Sequence, residues 1–313
     1  MQQPTLPVRP LDLAIIGGGP AGMSGALVAG RARLSTVVVN AESPRNRVTK
    51  ASHGFLTRDG VHPLELLRLA KEQLTPYPSV TYRADRVRSV ERSEDGFSIH
   101  LESGDRLIAR RVLLATGYVD DLDQLGIPDL GAVYGTSVFP CPFCDGYEHR
   151  DERLALFGAA AVAHMTPMLK VWSDDVAVFT HGRSLDAELA EALAARDVPV
   201  HTAAIVALHH DDGVLRGVEL ETGEVVPRDA GFLAEILGVP ATPFADDLGV
   251  GTKTSPWGFE APDADEHGRT NVDGVYVVGD ARTGFSGLMH AASEGGGCVE
   301  HIVHELASER WRI

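Results

Sequence analysis

Short apolar runs, each followed by a turn and a helix-like stretch, recur along this chain. Residues 11–16 form an apolar run of the kind a buried parallel strand requires. Residues 23–31 follow with Ala-rich helical composition, and 35–39 read as a second strand. Residues 63–74 space their apolar positions as an amphipathic helix, with Pro63 at the first turn. From 80 to 111 the period changes to alternation. Strands at 87–91, 97–102 and 106–109, divided by Glu94-Asp95-Gly96 and Ser103-Gly104-Asp105, predict a β-meander. Residues 112–115 return as a buried strand. A second round begins with an apolar strand at 154–158 and another at 176–180. Residues 199–208, 214–219 and 224–226 predict a small sheet, 232–238 lead out of it, and 240–268 read as loop. A last apolar strand, 274–278, precedes a stretch of helical length at 286–306.

This order predicts an α/β protein with two Rossmann-like domains. One is a three-layer domain with a β-meander, assembled from 1–117 and 240–313; the other is a smaller nucleotide-binding-like module inserted at 118–239. The length of 313 residues favours two domains. A net charge of -16 argues against nucleic acid and anionic membrane surfaces as partners. Residues 1–10 are polar and Pro-rich, unlike a signal peptide, and no apolar run is long enough to span a bilayer. The expected location is cytoplasmic, and three cysteines are too few for a secreted disulfide scaffold.

The first strand runs directly into Gly17-Gly18-Gly19-Pro20-Ala21-Gly22 and then a helix. In that context G-x-G-x-x-G predicts dinucleotide binding. Gly17 permits the tight turn, Gly19 admits a pyrophosphate to the helix N-terminus, and Gly22 lets helix and strand lie close. Pro20 and Ala21 complete the turn. The acidic residue expected after the second strand, for the ribose hydroxyls, is replaced by Asn40, with Ala41 and Glu42 following. A loop at 41–60, carrying Asn46 and His53, is placed to wrap the cofactor, though His53 serves equally well as a surface residue. The strand 112–115 closes on Ala115-Thr116-Gly117, an ending typical of FAD-binding Rossmann domains with an inserted meander. The last strand ends in Gly279-Asp280, where Asp280 is suited to hydrogen-bond the ribityl chain of FAD. A helix starting near Met289 would aim its N–H groups at the flavin, with His290 in its first turn.

Between the two rounds lies Cys141-Pro142-Phe143-Cys144-Asp145-Gly146. Two thiols at this spacing can close into a disulfide or open into a dithiol. Pro142 suits the first turn of a helix that could continue beyond Tyr147, and a helix N-terminus lowers a thiol pKa. Asp145 is the candidate acid/base for thiol–disulfide exchange. Zinc is the weaker reading: Cys141, Cys144 and His149 are three plausible ligands without a clear fourth. No metal is therefore expected. Cys298 reads as a buried inert cysteine. In the second round the glycine turn has become Gly158-Ala159-Ala160-Ala161-Val162-Ala163, followed by His181-Gly182-Arg183. A methyl at 160 stands where a pyrophosphate would approach, and Arg183 alone is available for a 2′-phosphate. A structural remnant is favoured over a working NADPH site.

Together these motifs resemble the low-molecular-weight thioredoxin reductase family, over roughly residues 11–307. The resemblance rests on Gly17-x-Gly19-x-x-Gly22, Ala115-Thr116-Gly117, Cys141-x-x-Cys144-Asp145-Gly146 and Gly279-Asp280, in that order. It implies an FAD-dependent thiol–disulfide oxidoreductase and a homodimer, with Cys144 nearest the flavin, Cys141 exchanging with substrate and Asp145 serving it. The implied substrates are a thioredoxin-like protein or a small dithiol or disulfide. The chain departs from NADPH-using members at Ala160, Ala163 and 181–183, and it lacks the Arg-Gln pair usual beside the flavin at 286–289. Pro44-Arg45-Asn46, the 53–60 segment and Cys141-Pro142-Phe143-Cys144 are similar to dithiol oxidases of the gliotoxin and holomycin type. Those oxidases often carry His where Asp145 stands. A third similar group takes electrons from ferredoxin or another donor. The expectation is thus a redox-active disulfide working with FAD and without NADPH, its electron partner being ferredoxin, O2 or a pyridine nucleotide. Alternatives are an oxidase closing disulfides with O2, an ordinary NADPH-dependent reductase, and a non-enzymatic redox sensor.

Overall fold

Successive side chains of the strand Leu13–Ile16 enter different cores, and that alternation organises the first half of the molecule. Leu13 and Ile15 pack with the helices Pro20–Arg31 and Leu288–Trp311, whereas Ala14 and Ile16 pack with the meander residues Phe97 and Ile99. All four are buried, as a strand covered on both faces must be. The structure is a computed structural model and describes residues 10–235, 237–255 and 260–311. It divides into two compact units, 1–45 with 64–119 and 240–313, and 46–63 with 120–239. The sequence reading had assigned 46–63 to the first domain. The difference arises within the second unit, where a Cβ on Gly135 would lie 2.7 Å from the Val48 side chain.

The first unit has a parallel sheet ordered Val275–Val277, Val112–Leu114, Leu13–Ile16, Thr36–Asn40, Val80–Ala84. Val80–Ala84 therefore belongs to this sheet and not to the alternating stretch in which the sequence placed it. The meander Val87–Ser93, Gly96–Leu101, Arg106–Ala109 forms a separate antiparallel layer. The amphipathic helix Pro63–Leu74 has the predicted bounds. The helices Pro20–Arg31 and Leu288–Trp311 cross with almost no space between their backbones: a Cβ on Gly295 would stand 1.9 Å from the Ala21 carbonyl oxygen. Arg111, buried beneath the C-terminal helix, is bridged to Glu309 and, at 3.5 Å, to Glu305.

The second unit repeats the plan on a smaller scale. Its parallel sheet runs Val200–His201, Val176–Phe179, Leu154–Phe157, Ala230–Leu233, Val138–Phe139. Leu154 and Leu156 pack with the helix Val162–Leu169 on one face. Ala155 and Phe157 pack on the other face with the sheet Ile205–Asp211, Val214–Leu220, Val225–Pro227. Residues 232–238 were expected only to lead out of the small sheet; residues 232 and 233 instead end a buried strand, Ala230–Leu233, beside Leu154–Phe157. The region read as loop from 240 holds a short helix, Phe244–Asp247, and a hairpin, Thr252–Thr254 with Glu260–Pro262.

Candidate active site

The first glycine turn is packed from below and open above. Gly17 has φ +104°, and a Cβ there would lie 2.1 Å from the Ala115 carbonyl oxygen. Only glycine accepts both conditions. A Cβ on Gly22 would lie 1.9 Å from the Gly17 carbonyl, so the helix begins directly against the turn, with Pro20 as its first residue. At Gly19 a Cβ would meet nothing within 4 Å. Helix N–H groups and clear space thus coincide where a pyrophosphate would approach, and this cradle fits the diphosphate of FAD.

Asn40 ends the second strand and lies against Gly18, where a Cβ would come within 2.6 Å of its side chain. Its Nδ2 donates to the Tyr82 hydroxyl (2.8 Å), which donates to the Glu42 carboxylate (3.1 Å). Lys71 Nζ is 3.5 Å from Glu42 and 4.2 Å from the centre of the Tyr82 ring. Asn40 and Glu42 are thus linked through Tyr82, while Ala41 is exposed. The sequence reading missed Tyr82 and Lys71, which come from other elements.

Beside the first glycine turn, Ala115 is buried next to Thr116 and Gly117, its carbonyl against Gly17. Gly279 takes φ +67° and donates its N–H to Glu294 (2.7 Å), which also binds Arg282. Asp280 accepts from the Ser286 N–H and hydroxyl, each at 2.8 Å, and from Arg45 Nη1 at 2.9 Å. Arg45 also donates to the Gly284 carbonyl (2.7 Å), and its guanidinium lies 5.1 Å from the Phe285 ring centre and 5.5 Å from that of Tyr118. Arg45 is a cation fixed beside the predicted flavin ligand; the sequence reading named it within a loop and within the segment similar to dithiol oxidases, without this contact. Met289 and His290 are exposed in the first turn of Leu288–Trp311.

The thiols lie in the second unit. Cys141 is extended (φ −140°) and starts the helix Pro142–Asp145, which is one turn long. The expected continuation past Tyr147 is absent: residues 146–151 form turns, ending at Asp151 with φ +64°. Trp172 packs so closely on Gly146 that a Cβ there would lie 2.9 Å from its ring, and it meets Phe143 edge-on at 5.4 Å. Both cysteines are half-buried, while Phe143 and Tyr147 are exposed. Burial raises the Asp145 pKa to about 7, aided by the negative charges of Cys141 and then Glu148. The carboxyl therefore exchanges its proton near neutrality, as an acid/base group should.

Asn46 and His53, expected at the cofactor, group with the second unit. Asn46 Nδ2 donates to Ser52 Oγ (3.1 Å). His53 lies 3.7 Å from Glu148 and 3.6 Å from Asp59, next to the residue whose charge reaches Asp145. His149 is 2.8 Å from Glu152, and no group of three or more His, Cys, Asp or Glu among the described residues could hold a metal ion. Cys298 is buried, and desolvation pushes its thiol pKa up. At the second turn, Gly158 has φ +118° and the Ala159 and Ala160 N–H groups both point at Glu235.

A glycine-turned Rossmann unit with a meander layer, joined in one chain to a second parallel-sheet unit bearing Cys-x-x-Cys-Asp, defines an FAD-dependent oxidoreductase. The chain belongs to the pyridine nucleotide-disulphide oxidoreductase family, whose model matches residues 11–296. TrxB from Bacillus anthracis superimposes with a TM-score of 0.89 at 34% identity, covering 96% of this chain and 100% of that one. Thioredoxin reductase aclD of Aspergillus oryzae is 27% identical over 309 residues, 95% of this chain and 96% of the relative. A protein of Arthroderma benhamiae is 32% identical over 190 residues, 58% of this chain; the match spans less than half of that relative, 46%. Among the described residues no helix is long and apolar enough to cross a membrane.

Proposed function

We propose that this protein is an FAD-dependent thiol–disulfide oxidoreductase that exchanges through Cys141 and Cys144, with Asp145 as acid/base and without a pyridine nucleotide. The observation that carries the reading is the electrostatic coupling of Asp145 to Cys141, which helps hold the Asp145 carboxyl near pKa 7. A carboxyl that senses the charge on one sulfur is suited to handle that sulfur's proton, and this supports Cys141 as the exchanging thiol. In the reducing direction the Cys141 thiolate attacks a substrate disulfide, whose S–S bond breaks. The leaving sulfur takes the proton of Asp145. Cys144 then attacks Cys141, closing the internal disulfide and releasing the second substrate thiol. In the oxidising direction the same steps run backwards and Asp145 accepts the proton. FAD, held by the glycine turn at 17–22 and Asp280, would supply or take up the two electrons that reset the pair.

Exposed Phe143, between the two cysteines in the chain, and exposed Tyr147, three residues beyond them, would contact the partner, either a thioredoxin-like protein or a small dithiol or disulfide. The name of the aclD relative supports the first of these. Ala160 and Ala163 in the second turn support independence from NADPH. The electron partner is then O2, ferredoxin or another carrier, and the resemblance to thioredoxin reductases implies a homodimer. The test is turnover of a small dithiol and of a small disulfide by wild type and Cys141→Ser at equal flavin content. The proposal expects turnover of at least one by wild type and a loss of roughly 100-fold or more in the variant. Unimpaired turnover in Cys141→Ser would refute it.

A further inference from the structure

The second glycine turn is filled by the protein's own carboxylate. One oxygen of Glu235 accepts from the Ala159 N–H (3.0 Å) and the Ala160 N–H (3.3 Å), and lies 2.7 Å from Arg183 Nη1. These are the backbone donors that, in a dinucleotide-binding βα turn, would face the diphosphate, and Arg183 is the cation following the next strand. The backbone holds Glu235 there. Strand Ala230–Leu233 pairs with Leu154–Phe157, Ala234 N–H donates to Phe157 O (2.7 Å), and Ala161 N–H donates to Ala234 O (3.1 Å). Residue 235 therefore leaves its strand against the mouth of the turn. Gly158 is part of the arrangement, since a Cβ there would stand 2.9 Å from the same carboxylate oxygen. The Glu235 side chain is largely covered, at 18% exposure.

We propose that Glu235 is the residue that denies this unit to NADPH and NADH, acting as a built-in substitute for the nucleotide diphosphate. The proposal rests on the nucleotide-independent reading above and supplies its cause. An incoming diphosphate would have to displace a charge-assisted contact network and would then sit beside the expelled carboxylate, so two anions would compete for one set of donors. The residues of this turn do not fit a pyridine nucleotide while Glu235 is present. The methyl of Ala160 is a second, smaller obstacle on the same path. The enzyme's choice of electron partner is thus set by a side chain outside the glycine motif, 75 residues beyond Ala160.

The experiment is a calorimetric titration of NADPH and NADH into the FAD-loaded protein. It uses wild type, Glu235→Gln, and Glu235→Gly combined with Ala160→Gly, with melting temperature and flavin content as folding controls. Wild type is expected to show no binding. The double variant is expected to gain affinity by roughly tenfold or more, and Glu235→Gln to fall between them because it keeps the shape and loses the charge. Adding Arg183→Ala to the double variant should weaken NADPH more than NADH. Binding of NADPH by wild type would overturn both this proposal and the nucleotide-independent reading. A folded, flavin-loaded double variant that binds no better than wild type would overturn the role of Glu235 alone.

Discussion

The raised proton affinity of Asp145 is the feature that the proposed thiol exchange at Cys141 would use. Asp145→Asn should lower exchange by roughly 100- to 10,000-fold. It should also remove the limb near pH 7 from the pH–rate profile, a limb that rises with pH for dithiol oxidation and falls with pH for disulfide reduction. Stability gives an independent check. The folded pKa, about 7, lies above the ordinary value of 3.8, so the folded state binds the proton more tightly. Stability from this group is full below the ordinary value and is lost as pH rises through 7. Asp145→Asn should therefore raise the melting temperature at pH 8 relative to wild type, with the gap closing towards pH 4. Asp145 was legible in the sequence because it adjoins its thiols. Arg45 and Glu235 were not: Arg45 meets Asp280 across 235 positions and Glu235 meets Ala159 across 76, and no local pattern signals such a pairing.

Elements were legible in proportion to their burial and length. Runs such as 13–16 and 112–114 are covered on both faces and read as unbroken apolar segments, and Pro63–Leu74 has twelve residues in which to show its period. Val138–Phe139 is two residues long, too short for any period to appear, and Val200–His201, a strand of the parallel sheet, was merged in the reading of 199–208 with Ile205–Asp211 of the small sheet. Val80–Ala84 is a half-exposed edge strand, so its alternation merged with that of the meander. The helix after Cys141 was overextended because Pro142 marks a start, while the stop lies in the packing of Trp172 on Gly146, invisible to composition. The tightest packing in the first unit, between Pro20–Arg31 and Leu288–Trp311, depends on glycine. Gly295→Ala should force these helices apart and cost about 1–3 kcal/mol, read as a lower melting temperature with loss of bound flavin. Gly296→Ala is the control: its nearest foreign atom would be an ordinary 3.8 Å away, so stability should be kept.

Across the whole molecule, the glycine turn that fits the FAD diphosphate lies in one unit, and the thiol pair with the proposed acid/base Asp145 lies in the other. A thioredoxin-like substrate would engage the exposed rings of Phe143 and Tyr147. Phe143→Ala should then raise KM for a protein substrate more than for a small disulfide, as steady-state kinetics would show. The central claim is that electrons pass between Cys141/Cys144 and flavin without a pyridine nucleotide. Its most direct measurement is anaerobic stopped-flow mixing of the purified protein with excess small dithiol or with NADPH, following the flavin absorption band. The account predicts bleaching by the dithiol, none in Cys144→Ser, and none with NADPH. Rapid bleaching by NADPH, or a flavin band untouched by any dithiol, would contradict it.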